Sequence, residues 1–403
     1  MAGRIDVVVI GGGYAGVMAA NRLTQRDDVA VTLINPRPSF VERIRLHQVV
    51  SGSDDAVTGY GQVLGAGVRL LVDTVTRIDS ADRRVTLAGG RTVGYDYLIY
   101  AVGSGSADTR IPGGPEFTYP IGTLEHAQRL AGVLRTAPAT VEVTVVGGGP
   151  TGIEISAELA EQGRKVVLVC GATLAPYLHP RGRRAVARRL DKLGVAVLDG
   201  HGAQVTAVQR DSVHLADGRM LASAVTIWTA GFAVPDLAMR SALSTDAAGR
   251  LITDETLTSV DDDRIVAAGD AAAPSNLPLR MSCQAAMPLG ARAADTVLAR
   301  IAHEQPADLD VGFFGMCIGL GPRAATVQLA TKDDTAGRFI ISGRLAAWIK
   351  QRSYTGLTGH LADEAREPGS YTWNFKDARR RQRVAGRNAR AAPNEASQLK
   401  ARP

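Results

Sequence analysis

The chain is poor in cysteine: among 403 residues only Cys170, Cys283 and Cys317 occur, far apart and in no CxxC or CxxxxC pair. That spacing excludes a disulfide framework and a local redox dithiol. Seven histidines are scattered without metal-ligand spacing, so no metal site is expected. No apolar run reaches the roughly 18 residues a membrane-spanning helix needs. Arg4 and Asp6 lead straight into Val7-Val8-Val9-Ile10 with no cleavable apolar leader, so a cytoplasmic location is expected. The net charge of +6 is not spread along the chain. From Lys376 to Pro403 nine Lys/Arg face only Asp377 and Glu395, which leaves the preceding residues at −1. A near-neutral body lacks a broad electrostatic footprint for nucleic acid. The tail, rich in Arg, Ala, Asn and Pro, is expected to be disordered.

What the chain does have is glycine, 44 residues of it, with 45% apolar residues to fill cores. A length of 403 residues implies two or three domains. An internal repeat is the most informative feature. Residues 7–35 read VVVIGGGYAGVMAANRLTQRDDVAVTLIN, and residues 143–171 read VTVVGGGPTGIEISAELAEQGRKVVLVCG. Each is a β-branched run, a glycine turn, an apolar-periodic stretch of helical length and a second β-branched run: one βαβ unit written twice. Each copy is followed by a strand with a small-residue exit, 95–103 ending Ala101-Val102-Gly103 and 226–231 ending Ala230-Gly231. A further strand runs into Gly269-Asp270, a helix is expected from about Ser282 to Ala302, and Pro306 marks a boundary before a smaller strand-rich segment.

In Gly11-Gly12-Gly13-Tyr14-Ala15-Gly16 the first glycine permits the tight turn, Gly13 lets backbone approach a pyrophosphate, and Gly16 lets helix pack on strand. The diphosphate then sits at the positive end of the helix. The same motif recurs as Gly147-Gly148-Gly149-Pro150-Thr151-Gly152 in the same context, so two dinucleotides are expected. A carboxylate at the end of a late strand, Asp270, has the chemistry to accept hydrogen bonds from sugar-like hydroxyls, although such a residue also serves as a helix cap.

This arrangement resembles the pyridine-nucleotide-dependent FAD oxidoreductases, and within them type II NADH dehydrogenases and the related ferroptosis-suppressor and apoptosis-inducing flavoproteins, over residues 5 to 305. The segment Leu46-His47-Gln48-Val49-Val50-Ser51-Gly52 resembles the dehydrogenases' leucine-tyrosine-glutamine-valine-alanine-threonine-glycine. Glu154 with Leu159-Ala160-Glu161 resembles their second-domain fingerprint, and Cys283-Gln284-Ala285-Ala286 their alanine-glutamine motif beside the flavin. The resemblance implies FAD, held non-covalently, at the first glycine motif and NADH or NADPH as substrate at the second. It implies Glu154, Gln284 and Gln48 as catalytic residues. The cofactor-binding residues it implies are Gly11, Gly13, Tyr14, Ala15, Gly16, Asn35, Arg43, Val75, Ala101, Gly103, Gly269, Asp270, Gly147, Gly149, Thr151, Gly152, Cys170, Ala230 and Gly231.

Three departures bear on what carries over. Asn35 stands where an acidic residue usually ends the second strand of an FAD site. Cys170 stands at the equivalent place in the second copy, so the carboxylate that favours NADH over NADPH is missing. Arg181, Arg183 and Arg184 are close enough in sequence to meet a 2′-phosphate, or form a solvated helix face. Pro288-Leu289 replaces the paired glutamines near the quinone. The resemblance implies that Glu154 orients the carboxamide or takes part in proton movement; read alone, it is a helix-dipole partner or a helix-surface residue. The helix beginning near Cys283 stabilises an anionic reduced flavin with its free N–H groups, kinked at Pro288, or Cys283 is a small core residue. Leu345, Trp348 and Ile349, flanked by Arg344, Lys350 and Arg352, form an apolar stripe beside cations, suited to a membrane interface or to packing on the body.

The expected fold class is α/β: two Rossmann-like, doubly wound, three-layer dinucleotide domains, the second inserted in the first. The FAD domain takes residues 1–115 and 241–305, the nicotinamide domain 116–240, a small α+β region 306–375 and the basic tail 376–403. The expected activity is FAD-dependent NAD(P)H oxidation, with hydride passing to flavin N5 and electrons to a quinone-like acceptor, and with peripheral membrane contact through the C-terminal region. Two alternatives stay open: a soluble FAD-dependent reductase of specialised metabolism or with an iron–sulfur protein acceptor, and a binding flavoprotein resembling apoptosis-inducing factor. The oligomeric state is not legible.

Overall fold

In the computed structural model, residues 3–387 are described. The β-branched run Ile5–Ile10 forms the centre of a five-stranded sheet in the order 265–267, 97–100, 5–10, 29–35, 68–72, with every pair parallel. Val7, Val8, Val9 and Ile10 are buried, as a central parallel strand covered on both faces requires. The helix Tyr14–Leu23 crosses over one face and buries nine of its ten residues. The last strand, Ile265–Ala267, comes from beyond the second repeat, so the chain leaves this sheet and returns to complete it.

The second repeat builds a like sheet, order 118–120, 225–228, 142–146, 165–169, 196–198, again all parallel. Its crossover helix is Pro150–Glu161, with proline in the first turn, where its missing N–H costs nothing. The expected α/β class with two dinucleotide-type sheets is what the chain adopts. The two passages between the sheets run side by side, Gly105–Ser106 pairing antiparallel with Phe232–Ala233.

The helix Cys283–Ile301 starts on Ser282, whose side chain accepts from the Ala285 N–H, and contains Pro288 without a break. It packs tightly on the first crossover helix: a Cβ on Gly290 would lie 2.3 Å from the Ala15 carbonyl oxygen. C-terminal to it, three antiparallel strands, Gly315–Gly319, Ala325–Ala330 and Ala336–Gly343, lead into the 23-residue helix Arg344–Arg366.

The expectation of a disordered basic tail from residue 376 fails for its first part. Lys376 bridges Val311, and residues 380–387 are helical. Arg380 is buried, its guanidinium gripping both Glu255 oxygens at 2.8 and 3.1 Å and donating to the Pro274 and Leu277 carbonyls. Arg381 pairs with Asp308 and Arg383 with Asp377. The basic run thus closes internal ion pairs, which the composition of the segment conceals. Residues 388–403 lie outside the described residues.

Candidate functional site

A cleft of about 1290 Å³ runs between the two parallel sheets and under the C-terminal region. The first glycine turn forms one end. A Cβ on Gly16 would sit 1.8 Å from the Gly11 carbonyl oxygen, whereas a Cβ on Gly13 would meet nothing within 4 Å. The second turn repeats this division: Gly152 is closed by Gly147 at 1.9 Å and Gly149 faces open space. The closed glycines let helix lie on strand, and the open ones leave room for a ligand's backbone approach. Unpaired N–H groups at the start of each helix point to where an anion fits.

Several expected residues meet along this cleft. Gly11, Gly13, Tyr14, Ala15, Asn35 and Arg43 line it, as do Ala101, Gly103, Gly269 and Asp270. Thr151, Glu154, Gly231 and Gln284 border it from the second sheet and the C-terminal side. Ser104, which the sequence did not mark, donates to Asp270 Oδ2 at 2.6 Å and accepts from Arg43 Nη1 at 3.2 Å, while Arg43 lies 3.6 Å from the same carboxylate. Asp270 is therefore fixed in orientation by its neighbours and is no simple helix cap.

Other expected residues lie outside the lining of this cleft or take a different part in it. Gln48 does not line the cleft; its neighbour His47 does, because the short helix Leu46–Ser51 turns His47 inward. Val75 is a core residue of the hairpin sheet and also lies away from the cleft. Gly16, Gly147, Gly149, Gly152 and Ala230 are not among its lining residues. Asn35 braces the glycine turn: its Oδ1 accepts from the Gly12 N–H at 3.0 Å and its Nδ2 donates to the Arg37 carbonyl. Cys170 occupies the matching place against Gly148, outside the lining, and burial together with nearby Asp199 pushes its thiol up to about 12. Arg181 and Arg184 are exposed and Arg183 donates to the Leu178 carbonyl, so none of the three borders the cleft. Lys350, expected among the flanking cations of the C-terminal stripe, points inward instead.

That inward lysine completes a buried cluster. Glu154 Oε1 receives the Lys350 ammonium at 2.5 Å and the Gly319 N–H at 2.9 Å, and Oε2 faces His47 Nδ1 at 3.5 Å. Burial alone would raise the Glu154 carboxyl, but Lys350, and then His47, outweigh it and hold it below the usual carboxylate range. Burial drives the His47 imidazole down to about 4, against the pull of Glu154, so it is neutral near pH 7. The bland reading of Glu154 as a solvated dipole partner is thereby excluded: the side chain is buried and ties the second crossover helix to the C-terminal region.

At the start of the helix Cys283–Ile301, burial pushes the Cys283 thiol up to about 11, so it is a neutral thiol at physiological pH. Gln284 Oε1 accepts from the Phe314 N–H at 3.3 Å, leaving its amide N–H groups uncommitted beside the cleft. Pro288 and Leu289 are both buried. Leu345 and Trp348 are 58% and 59% exposed, and Phe339 on the adjoining strand is 62% exposed. The Arg352 guanidinium lies over the Trp348 ring at 5.6 Å. Among the described residues no helix is long and apolar enough to cross a membrane, and no cluster suited to a metal ion occurs.

Two dinucleotide-type sheets opening onto one cleft define a pyridine-nucleotide-linked flavoprotein oxidoreductase. The chain belongs to the pyridine nucleotide-disulphide oxidoreductase family, whose sequence profile matches residues 5–290. It is 30% identical over 395 residues to an NADH dehydrogenase-like protein of Mycobacterium tuberculosis, covering 89% of this chain and 96% of that one. It is also 30% identical to a type II NADH:quinone oxidoreductase of the same organism, covering 76% and 74% of the two chains. The fold superimposes on the sulfide:quinone oxidoreductase of Aquifex aeolicus with a TM-score of 0.74 at 19% identity, covering 89% of this chain and 92% of that one. On the NADH complex of NDH2 from Plasmodium falciparum the TM-score is 0.75 at 17% identity, with 92% and 99% covered. The name of the family notwithstanding, all three cysteines are free thiols.

Proposed function

We propose that the chain is an FAD-dependent NADH oxidoreductase that delivers electrons to a quinone-like acceptor. The observation carrying this reading is the single cleft that is lined by the first glycine turn, by Pro150 and Thr151 at the start of the second crossover helix, and by Glu154. FAD fits the first turn: Gly13 leaves space for the diphosphate, and the Ser104–Asp270–Arg43 network offers a carboxylate for ribityl hydroxyls. NADH fits the second, at Gly149 and Thr151. When bound, the flavin supplies the two-electron chemistry, accepting hydride at N5 from the nicotinamide C4 and passing electrons on. The protein's part is to hold the two rings in register and exclude water.

Glu154, ionised and fixed by Lys350, orients the nicotinamide carboxamide and holds charge beside the reacting rings, with His47 as its neutral partner. The helix end at Cys283 borders the cleft, and its free N–H groups would favour negative charge gained by a flavin held there. NADH is favoured over NADPH, because no arginine of 181–184 borders the cleft, Asp199 adds negative charge beside Cys170, and curated relatives carry NADH in their names. Gln48 and Val75, away from the cleft, act in this reading at most through backbone and packing. The exposed Phe339, Leu345 and Trp348, with Arg352 alongside, form the surface we assign to peripheral membrane contact.

Buried Pro288 and Leu289 in place of the paired glutamines favour a second reading, a reductase whose acceptor is a small metabolite or an iron–sulfur protein. An acceptor panel separates the two. With NADH as donor, short-chain quinones are expected to turn over at least tenfold more efficiently than a ferredoxin or molecular oxygen. A ferredoxin preferred over every quinone would overturn the quinone assignment.

A further inference from the structure

Two phenol hydroxyls in the cleft have no acceptor for their protons. Tyr14, at the first turn of the first crossover helix, and Tyr354, on the long C-terminal helix, both line it and are 8% and 4% exposed. Neither phenol O–H has an acceptor, and the Lys350 ammonium beside the Tyr354 oxygen can only donate to it, leaving that proton free as well. A buried polar group left unpaired loses its hydration without replacement, and folded proteins leave few of them. Two in one cleft, held by elements 340 residues apart in sequence, therefore mark hydrogen-bonding capacity directed at a ligand.

Their surroundings fix what each can offer. The Tyr354 ring lies between the Arg45 guanidinium at 4.7 Å and the Lys350 ammonium at 4.9 Å, and cations on the ring faces polarise the O–H outward as a donor. The Tyr14 ring stacks edge-on against Phe40 at 5.1 Å, which fixes its direction. Burial raises both phenols, each also feeling the charge of its neighbours, so both stay protonated donors. Each nearby cation is answered by carboxylates, Lys350 by Glu154 and Arg45 by both Glu42 and Asp54, so the set carries no net positive charge. A neutral ligand is accommodated there, and an anion gains nothing. The cleft walls beside them, from Met287, Leu357 and Trp373, are apolar and broad.

We propose that Tyr14 and Tyr354 donate hydrogen bonds to the carbonyl oxygens of a neutral, planar quinone, taking the place of the paired glutamines that Pro288 and Leu289 replace. The assignment rests on the quinone-acceptor reading above, and deepens it by naming the groups that select the acceptor. Lys350 and Glu154 lie close enough to Tyr354 to act on its phenol but remain paired with each other.

The test uses the flavin-loaded enzyme and menadione as probe, with ferricyanide as an outer-sphere oxidant that needs no hydrogen bond. In Tyr354→Phe the ratio of menadione to ferricyanide efficiency is expected to fall five- to tenfold, mainly through KM. The menadione Kd of the oxidised protein, read without turnover from quenching of tryptophan fluorescence, rises by the same factor. Tyr14→Phe, compared at equal flavin content, shifts the same two quantities in the same direction. An unaltered ratio and Kd in both variants would overturn the proposal, as would equal losses with both oxidants. Failure of the wild-type protein to bind menadione at all would instead overturn the quinone reading, and this assignment with it.

Discussion

At the scale of single residues, the two open glycines and the two closed ones make opposite demands on a methyl group. In Gly13→Ala the new Cβ meets nothing, and the φ of −84° is ordinary for alanine, so the fold tolerates it. It intrudes only where the FAD diphosphate would lie. FAD affinity is expected to drop at least tenfold while the unfolding free energy of the apoprotein stays within about 0.5 kcal/mol of the parent, the usual range for substitutions that touch nothing. In Gly16→Ala the Cβ would strike backbone 1.8 Å away, and stability itself should fall by more than about 1 kcal/mol through overpacking. Isothermal titration with FAD and chemical denaturation of the two apoproteins check the contrast. Equal loss of FAD affinity and equal loss of stability in both variants would contradict it. The same scale explains why Glu154 was recognisable from its motif while Lys350 and His47 were not. Lys350 reads in sequence as one more cation beside an apolar stripe, and only the long helix's rotation turns it 196 positions back to Glu154.

At the scale of elements, the C-terminal segment closes the cleft by docking and not by covalent linkage. Its anchor is Arg380, 3% exposed in its side chain and paired with Glu255, which is 15% exposed. Removing one partner of a buried pair leaves an uncompensated charge and typically costs about 3 to 5 kcal/mol, whereas the intact pair contributes much less net stability. Arg380→Met is expected to lower the unfolding free energy by a value in that range and to expose residues 376–387 to limited proteolysis. Unchanged proteolysis would show the segment to be held by other contacts. Composition misled here because arginines in a run look solvated until their acidic partners, Asp308, Asp377 and Glu255, are brought beside them by the fold. The helix Cys283–Ile301, by contrast, was legible almost to the residue: Ser282 provides a cap signal, and Pro288 near the start is tolerated without a break.

At the scale of the whole molecule, the repeated βαβ unit made both parallel sheets legible, because a β-branched run, a glycine turn and a helical period are local patterns. Their closing strands, 97–100 and 225–228, followed from similar β-branched runs, whereas the return of 265–267 to the first sheet was implied by the family resemblance alone. The candidate site was legible where one motif supplies it, as at Gly11–Gly16 and Gly269-Asp270. It was illegible where distant elements converge, as in Ser104 on Asp270, or Tyr354 and Lys350 over the first crossover. His47 was not marked for a simple geometric reason: adjacent residues on a helix face different directions, and it is His47, next to the expected Gln48, that lines the cleft.

The central claim is that one cleft brings a flavin and a nicotinamide face to face. Anaerobic addition of one equivalent of NADH to the FAD-reconstituted protein tests it most directly. The account predicts that the flavin absorbance bleaches in proportion to NADH added, with one NAD⁺ formed per flavin reduced. A flavin that stays oxidised under excess NADH, or a protein that retains no FAD on reconstitution, would contradict it.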